Sequence, residues 1–346
     1  MKIGLVGFAG SGKTTVFNTM TGQDVSVGFG GELRLGTVQV PDERIDALAA
    51  VFSPKKTTYA EMNFCDIPGE HGAEKKGLSP HSLQQIRDQE ALCLVIRDFP
   101  NPTLEGDPDP AGDLEAFHLE CVLADLLIVE RRLERAKKER AEAPEVAAFE
   151  MMKSSLESER PLRSLSPEEL NRDYLKGYGL VTDRPLLVAL NRAEAEVAEP
   201  LSGEFLARLE DLQAAGMVLS ASVEAEIAGL DPEDQKAFLE DLGLDESALS
   251  RFIRTAYGLL DLMSFFTVGE DEVRAWTIQR GTRARAAAGK IHSDLERGFI
   301  RAEVTPYETF RELGSEQAVK EAGRLQVEGK DYVVQDGDIM HVRFNV

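Results

Sequence analysis

Residues 7–14 read GFAGSGKT and fit the spacing G-x-x-x-x-G-K-[ST], with Gly7, Gly12, Lys13 and Thr14 in the fixed places. Directly before them KIGLVGF is a nearly continuous apolar run, the pattern of a strand covered on both faces. Directly after them TTVFNTMTG has a helix-compatible pattern. Strand, glycine turn and helix in that order form a cradle whose backbone N–H groups ring a phosphate at the positive end of the helix. Gly10, Ser11 and Thr15 belong to the same cradle. In it Lys13 neutralises the β- and γ-phosphate oxygens of a nucleotide, and the Thr14 hydroxyl ligates Mg²⁺. An ordinary glycine turn would not account for the Lys-Thr pair.

Outward from this loop, LGTVQV, AEMNFCDIP, LCLVIRDF, RPLLVALN and MVLSAS read as further short strands separated by helical segments. That alternation predicts an α/β domain built on a mostly parallel sheet, over residues 1–113 and 180–262. The middle differs. LEAFHLECVLADLLIVERRLERAKKER, from Leu114 to Arg140, places Leu119, Val122, Leu123, Leu126, Val129 and Leu133 at helical spacing. A turn at Ala141–Pro144 and a second helical stretch then predict an inserted antiparallel hairpin over 114–179, an arm with a charged far end. Residues 263–346 run strand pair, helix and strands, closing in a hairpin-like pair around Gln335–Asp338, which predicts a small β-grasp domain.

Two further stretches carry chemistry. FCDIPGEHG is a strand ending in Asp-x-x-Gly, where Asp66 holds the magnesium and the Gly69 N–H senses a γ-phosphate. Glu70 and His71 follow; each is a candidate to orient or deprotonate an attacking water, or else a solvated loop group. LLVALNRAE places Asn191 and Glu194 where guanine-specific switches carry Asn-Lys-x-Asp. Glu is one methylene longer than Asp and does not meet guanine N1 and N2 in the same geometry, which weakens GTP and permits ATP. VLSAS, with Ser220, Ala221 and Ser222, resembles the small-residue loop that closes on a base.

Composition narrows the partners. The 346 residues carry a formal net charge of −22, so broad capture of DNA or an anionic membrane is not expected. The acidity lies upstream, however. Arg274, Arg280, Arg283, Arg285, Lys290, Arg297 and Arg301 cluster in the last domain and leave a local basic face for RNA or an acidic protein. Cys65, Cys93 and Cys121 form no CxxC and read as buried thiols, and no apolar run approaches the roughly 20 residues that span a bilayer. A reducing cytoplasm is the expected location. Trp276 reads as core; His292 and His341 have no metal-ligand spacing.

The order of these elements resembles the YchF/Obg-like ATPase family of P-loop proteins. EVRAWTIQRGTRARAAAGKIHSDLERGFIRAEV, EGKDYVVQDGDIMHVRFNV, LADLLIVERRLER and ASVEAEIAGLD carry the resemblance, which covers most of the chain. It implies an ATP-preferring hydrolase with a helical arm and a ubiquitin-like TGS end, associated with ribosomes and translation. The chain departs from the family pattern at the chemistry. Gly10 stands where the family P-loop has an Asn that in related hydrolases helps bind potassium, and Gly30 stands where the first switch carries a Thr. Glu70 replaces a hydrophobic residue. The reading that follows is a slow, Mg²⁺-dependent nucleoside triphosphatase switch that prefers ATP. The alternatives are a nucleotide-sensing adaptor with little hydrolysis, or a GTP-specific switch.

Overall fold

The computed structural model describes residues 2–23, 33–68 and 78–345. In chain order the elements begin β1 (Lys2–Val6), α1 (Lys13–Thr21), β2 (Arg34–Val40), α2 (Glu43–Phe52), β3 (Lys56–Thr58), β4 (Ala60–Asp66), α3 (Pro80–Arg87) and β5 (Ala91–Asp98). The middle holds α4 (Pro110–Glu139), α5 (Ala143–Glu157), β6 (Leu186–Arg192), α6 (Gly203–Asp211), β7 (Ala214–Leu219), α7 (Ala221–Ile227), α8 (Pro232–Asp241) and α9 (Ala248–Leu259). The C-terminal part has β8 (Leu262–Thr267), β9 (Glu272–Gln279), α10 (Ala284–Ile291), α11 (Ser293–Arg297), β10 (Phe299–Pro306), α12 (Tyr307–Leu313), α13 (Glu316–Glu321), β11 (Gln326–Glu328) and β12 (Asp338–Phe344). Two compact units result: residues 1–38 with 63–255, and residues 39–62 with 256–346.

The first unit is built on a sheet of order β2-β4-β1-β5-β6-β7. β1 is parallel to β4 and β5, β5 to β6, and β6 to β7. The first six residues of both β5 and β6 are buried throughout, which is why they read as unbroken apolar runs rather than alternating ones. Val6, Leu94, Ile96, Val188 and Leu190 meet Phe117 of α4 and Phe205 of α6 in the core. After β5 the chain forms two long helices, α4 and α5. α4 opens on Asp109, whose carboxylate accepts from Gly112 N, with Pro110 in the first turn, and it stops at Arg140 in the left-handed region (φ 56°). α5 returns along it, joined by Val122, Val129 and Leu133 against Phe149, Met152 and Leu156. Asp125 fastens α4 to the chain that re-enters the sheet: fully buried, it accepts from Val181 N (3.0 Å), Thr182 N (2.7 Å) and Thr182 Oγ1 (2.7 Å).

The second unit is the β-grasp module, with sheet order β11-β10-β12-β8-β9-β3. Phe265, Ile278, Ala287, Ala302, Val304 and Met340 form its core, with Trp276 packed against them and its indole N–H on Thr267 Oγ1 (3.0 Å). Three features differ from the sequence reading. ARAAAGKIHSDLERGF is two helices, because His292 adopts extended backbone (φ −162°, ψ 143°) and its Nδ1 accepts from Asp294 N, capping α11. The expected closing hairpin is absent: the Asp338 carboxylate accepts from Gln335 N and the Tyr332 hydroxyl, both 2.8 Å, and holds that stretch as a turn. β12 pairs with β10 and β8 instead. Finally, Lys56–Thr58 adds to this sheet as a parallel edge strand beside β9. Arg44 of α2 strengthens the same union through hydrogen bonds to both Asp42 and Asp336. All three cysteines are buried and free.

Candidate phosphate-binding site

The glycine loop between β1 and α1 has the backbone its sequence requires. Gly12 is the N-cap of α1 with φ 86°, and a Cβ built on it would run into Asn191 Nδ2. A Cβ on Gly7 would run into the Val95 carbonyl of β5. Side chains larger than hydrogen are therefore excluded at both places by different neighbours. Gly12 offers no side chain to cap α1 and the first turn holds no acid, so the N–H groups there suit an anion. Gly10 (φ 79°) lies under Leu104, whose side chain fills the space a Cβ would take.

The polar groups converge on Asp66, at the end of β4. Its carboxylate is buried and takes Lys13 Nζ on Oδ1 at 3.1 Å and Thr14 Oγ1 on Oδ2 at 3.2 Å. Arg34, the first residue of β2, stands 3.7 Å from the same Oδ2. Lys13 is itself buried. The predicted lysine, hydroxyl and carboxylate are thus within reach of one another at the mouth of the loop.

Asn191, at the end of β6, joins two loops rather than facing outward. Its Nδ2 donates to Ser11 O and its Oδ1 accepts from Ala221 N, both at 2.9 Å. Ser220 and Ser222 hydroxyls lie 3.0 Å apart beside it, at the start of α7. Glu194 is exposed on a short 3-10 turn, and Arg192 is held by Asp98 Oδ2 at 2.7 Å. The Thr15 carbonyl accepts from Thr19 Oγ1 within α1. Gly69, Glu70, His71 and Gly30 lie outside the described residues. Arg34 and Leu104 were not anticipated; neither belongs to a motif, and only strand pairing and loop path bring them to the site.

Do these residues fit a nucleotide and its magnesium? The Ser11 hydroxyl is buried with no partner among the described residues, and Gly7 and Gly12 let the loop pass against Val95 O and Asn191 Nδ2, closer than a side chain would allow. Thr14 Oγ1 and an Asp66 carboxylate oxygen are the hard oxygen donors that magnesium takes. They fit.

Residues 2–131 match a family described as 50S ribosome-binding GTPase, and residues 262–345 match the YchF-GTPase C-terminal family, described as a protein of unknown function (DUF933). The Ribosome-binding ATPase YchF of Bacillus subtilis (strain 168) is 41% identical over 361 residues, covering 99% of each chain. Obg-like ATPase 1 of Bos taurus is 33% identical over 368 residues, all of this chain and 92% of that one. The solved Schizosaccharomyces pombe YchF GTPase superposes with a TM-score of 0.86 at 29% identity, over 99% of this chain and 97% of that one. With such identity sustained from end to end, this chain belongs to the YchF family of P-loop nucleoside triphosphatases.

Proposed function

We propose that the chain is a magnesium-dependent switch that hydrolyses ATP in preference to GTP and works with the ribosome in the cytoplasm. The observation that carries the hydrolase reading is the convergence of Lys13 and Thr14 on Asp66 beneath an uncapped helix N-terminus. On nucleotide binding, Lys13 exchanges the carboxylate for phosphate oxygens, and the Gly12 and Lys13 amides hold the phosphate chain, the Ser11 amide being taken by Phe8 O at 3.2 Å. Thr14 and Asp66 would hold magnesium, which neutralises phosphate charge and orients the terminal group for in-line displacement. Asn191 keeps the glycine loop and the Ser220–Ser222 loop in register while this happens. The Gly69 amide and either Glu70 or His71 remain the proposed partners of the γ-phosphate and the water.

The preference for ATP rests on Glu194, whose longer, exposed carboxylate lacks the geometry that reads guanine. Association with ribosomes rests on the relatives, which are named ribosome-binding ATPases. In that setting residues 114–179 serve as the reading arm and 263–346 as the second contact. An RNA contact would fall to part of the basic set only. Arg280, Arg283 and Arg297 are paired with Asp261, Asp331 and Asp294, and Arg274 lies 4.1 Å over the Trp276 ring.

Calorimetric titration with ATP and GTP, with and without Mg²⁺, tests the nucleotide reading. Tighter ATP binding that needs Mg²⁺ and is lost in Lys13→Ala supports it; tighter GTP binding refutes the preference. Ribosome pelleting that does not depend on nucleotide refutes the switch.

A further inference from the structure

We infer that Arg34 is the residue by which this site tells a nucleoside triphosphate from a diphosphate: its guanidinium takes the terminal phosphate. The inference rests on the proposed nucleotide site and adds to it a residue that no motif contains.

Two contacts place Arg34. Thr37 Oγ1 donates to Asn63 Oδ1 at 2.9 Å, and three residues earlier on β2 Arg34 meets Asp66, three residues later on β4. One index falls as the other rises, so pairing of the two strands carries Arg34 to the carboxylate at the end of β4. Leu33, packed against the main core, fixes the start of β2. The cation is therefore held by a strand.

The charge count at this point is unusual for so acidic a chain. Among the described residues Lys13 and Arg34 are two cations on one buried carboxylate, a positive surplus where the net charge of the whole is −22. Lys13 with Thr14 already satisfies Asp66, so Arg34 is not needed to neutralise it. Moreover, 3.7 Å is too long for a hydrogen bond, and the Arg34 guanidinium makes none among the described residues. Its forked donors, with the side chain 26% exposed, are available to another planar or tetrahedral oxyanion. Thr14 and Arg34 also share Oδ2. Were Thr14 and Asp66 to hold a metal, Arg34 would lose its partner, and its guanidinium would be free for an anion. A diphosphate is already served by the loop amides and Lys13, so the group left for Arg34 is the terminal phosphate.

The test is binding, read by calorimetry in excess Mg²⁺, of ADP against AMPPNP and of GDP against GMPPNP. Arg34→Ala should weaken the triphosphate analogue about tenfold to a hundredfold, the loss of one charge-assisted contact, while leaving the diphosphate within about twofold. Arg34→Lys should recover part of the loss, since it keeps the charge without the fork. Arg34→Gln, which keeps length and polarity, provides the comparison if the alanine variant folds poorly. Equal losses for di- and triphosphate, or no loss, overturn the inference while leaving the nucleotide site intact. Wild-type protein that binds none of the four overturns both. Because the comparison is within each base, it stands whichever base is preferred.

Discussion

Gly12 and Asn191 form a pair whose coupling can be measured. Gly12 sits at φ 86°, and a Cβ there would collide with Asn191 Nδ2, which is buried and donates to Ser11 O while Oδ1 accepts from Ala221 N. Gly12→Ala therefore has two costs. The left-handed backbone costs an L-residue roughly 1–2 kcal/mol. Displacing the amide strands one carbonyl and one N–H in the interior, at about 1–3 kcal/mol each, less whatever water recovers. The expected total is about 3–6 kcal/mol. Asn191→Ala alone loses the same two bonds, about 2–4 kcal/mol. In the double variant the collision has gone and Gly12→Ala should add only the backbone cost of roughly 1–2 kcal/mol. The cycle thus predicts a coupling of about 2–4 kcal/mol, the double variant being less destabilised than the sum of the two single variants. Urea unfolding without nucleotide, followed by a probe in the first unit, measures it. A Gly12→Ala cost that is the same with and without Asn191 would refute the steric argument.

Further outcomes are expected elsewhere. His118 is buried and its Nε2 lies 2.7 Å from Glu159 O; burial lowers its pKa below the ordinary 6.5. Its contribution to stability is therefore present above that value and lost as pH falls through the window beneath it, so unfolding midpoints measured from pH 7.5 to 5 should fall less steeply in His118→Gln. Asp125→Ala leaves three buried donors without an acceptor and should cost about 3–5 kcal/mol, with hydrogen exchange at the Val181 and Thr182 amides accelerating first. Removing magnesium with EDTA should weaken triphosphate binding to the wild type by about tenfold or more, and that of Asp66→Asn by much less; equal responses would remove Asp66 from the metal site.

The legible part of the molecule is the part governed by local rules. The apolar runs of β1, β5 and β6, the loop that Gly7, Gly12, Lys13 and Thr14 define, and the helical period of α4 each follow from neighbours a few residues apart. They could be read without a fold. So could the choice of Asp66, because a strand that ends in Asp-x-x-Gly carries its carboxylate at the carboxyl end, beside the loop that follows the neighbouring β1. Where local patterns competed with a side-chain bond, the bond prevailed: His292 broke one apparent helix in two, and Asp338 drew the stretch before it out of the ladder.

What only the tertiary structure decided are contacts between residues far apart in sequence. Asn191 reaches across 180 positions to Ser11, Arg34 meets Asp66 through strand register, and Lys56–Thr58 finds its partner in β9. No periodicity encodes such pairs, since the residues involved would look the same in any other register. The sequence by itself determined the phosphate loop and the elements that flank it. Packing determined which cation, which amide and which strand stand against them, because those choices are made by the order in which β-strands lie together and not by the order in which they are written.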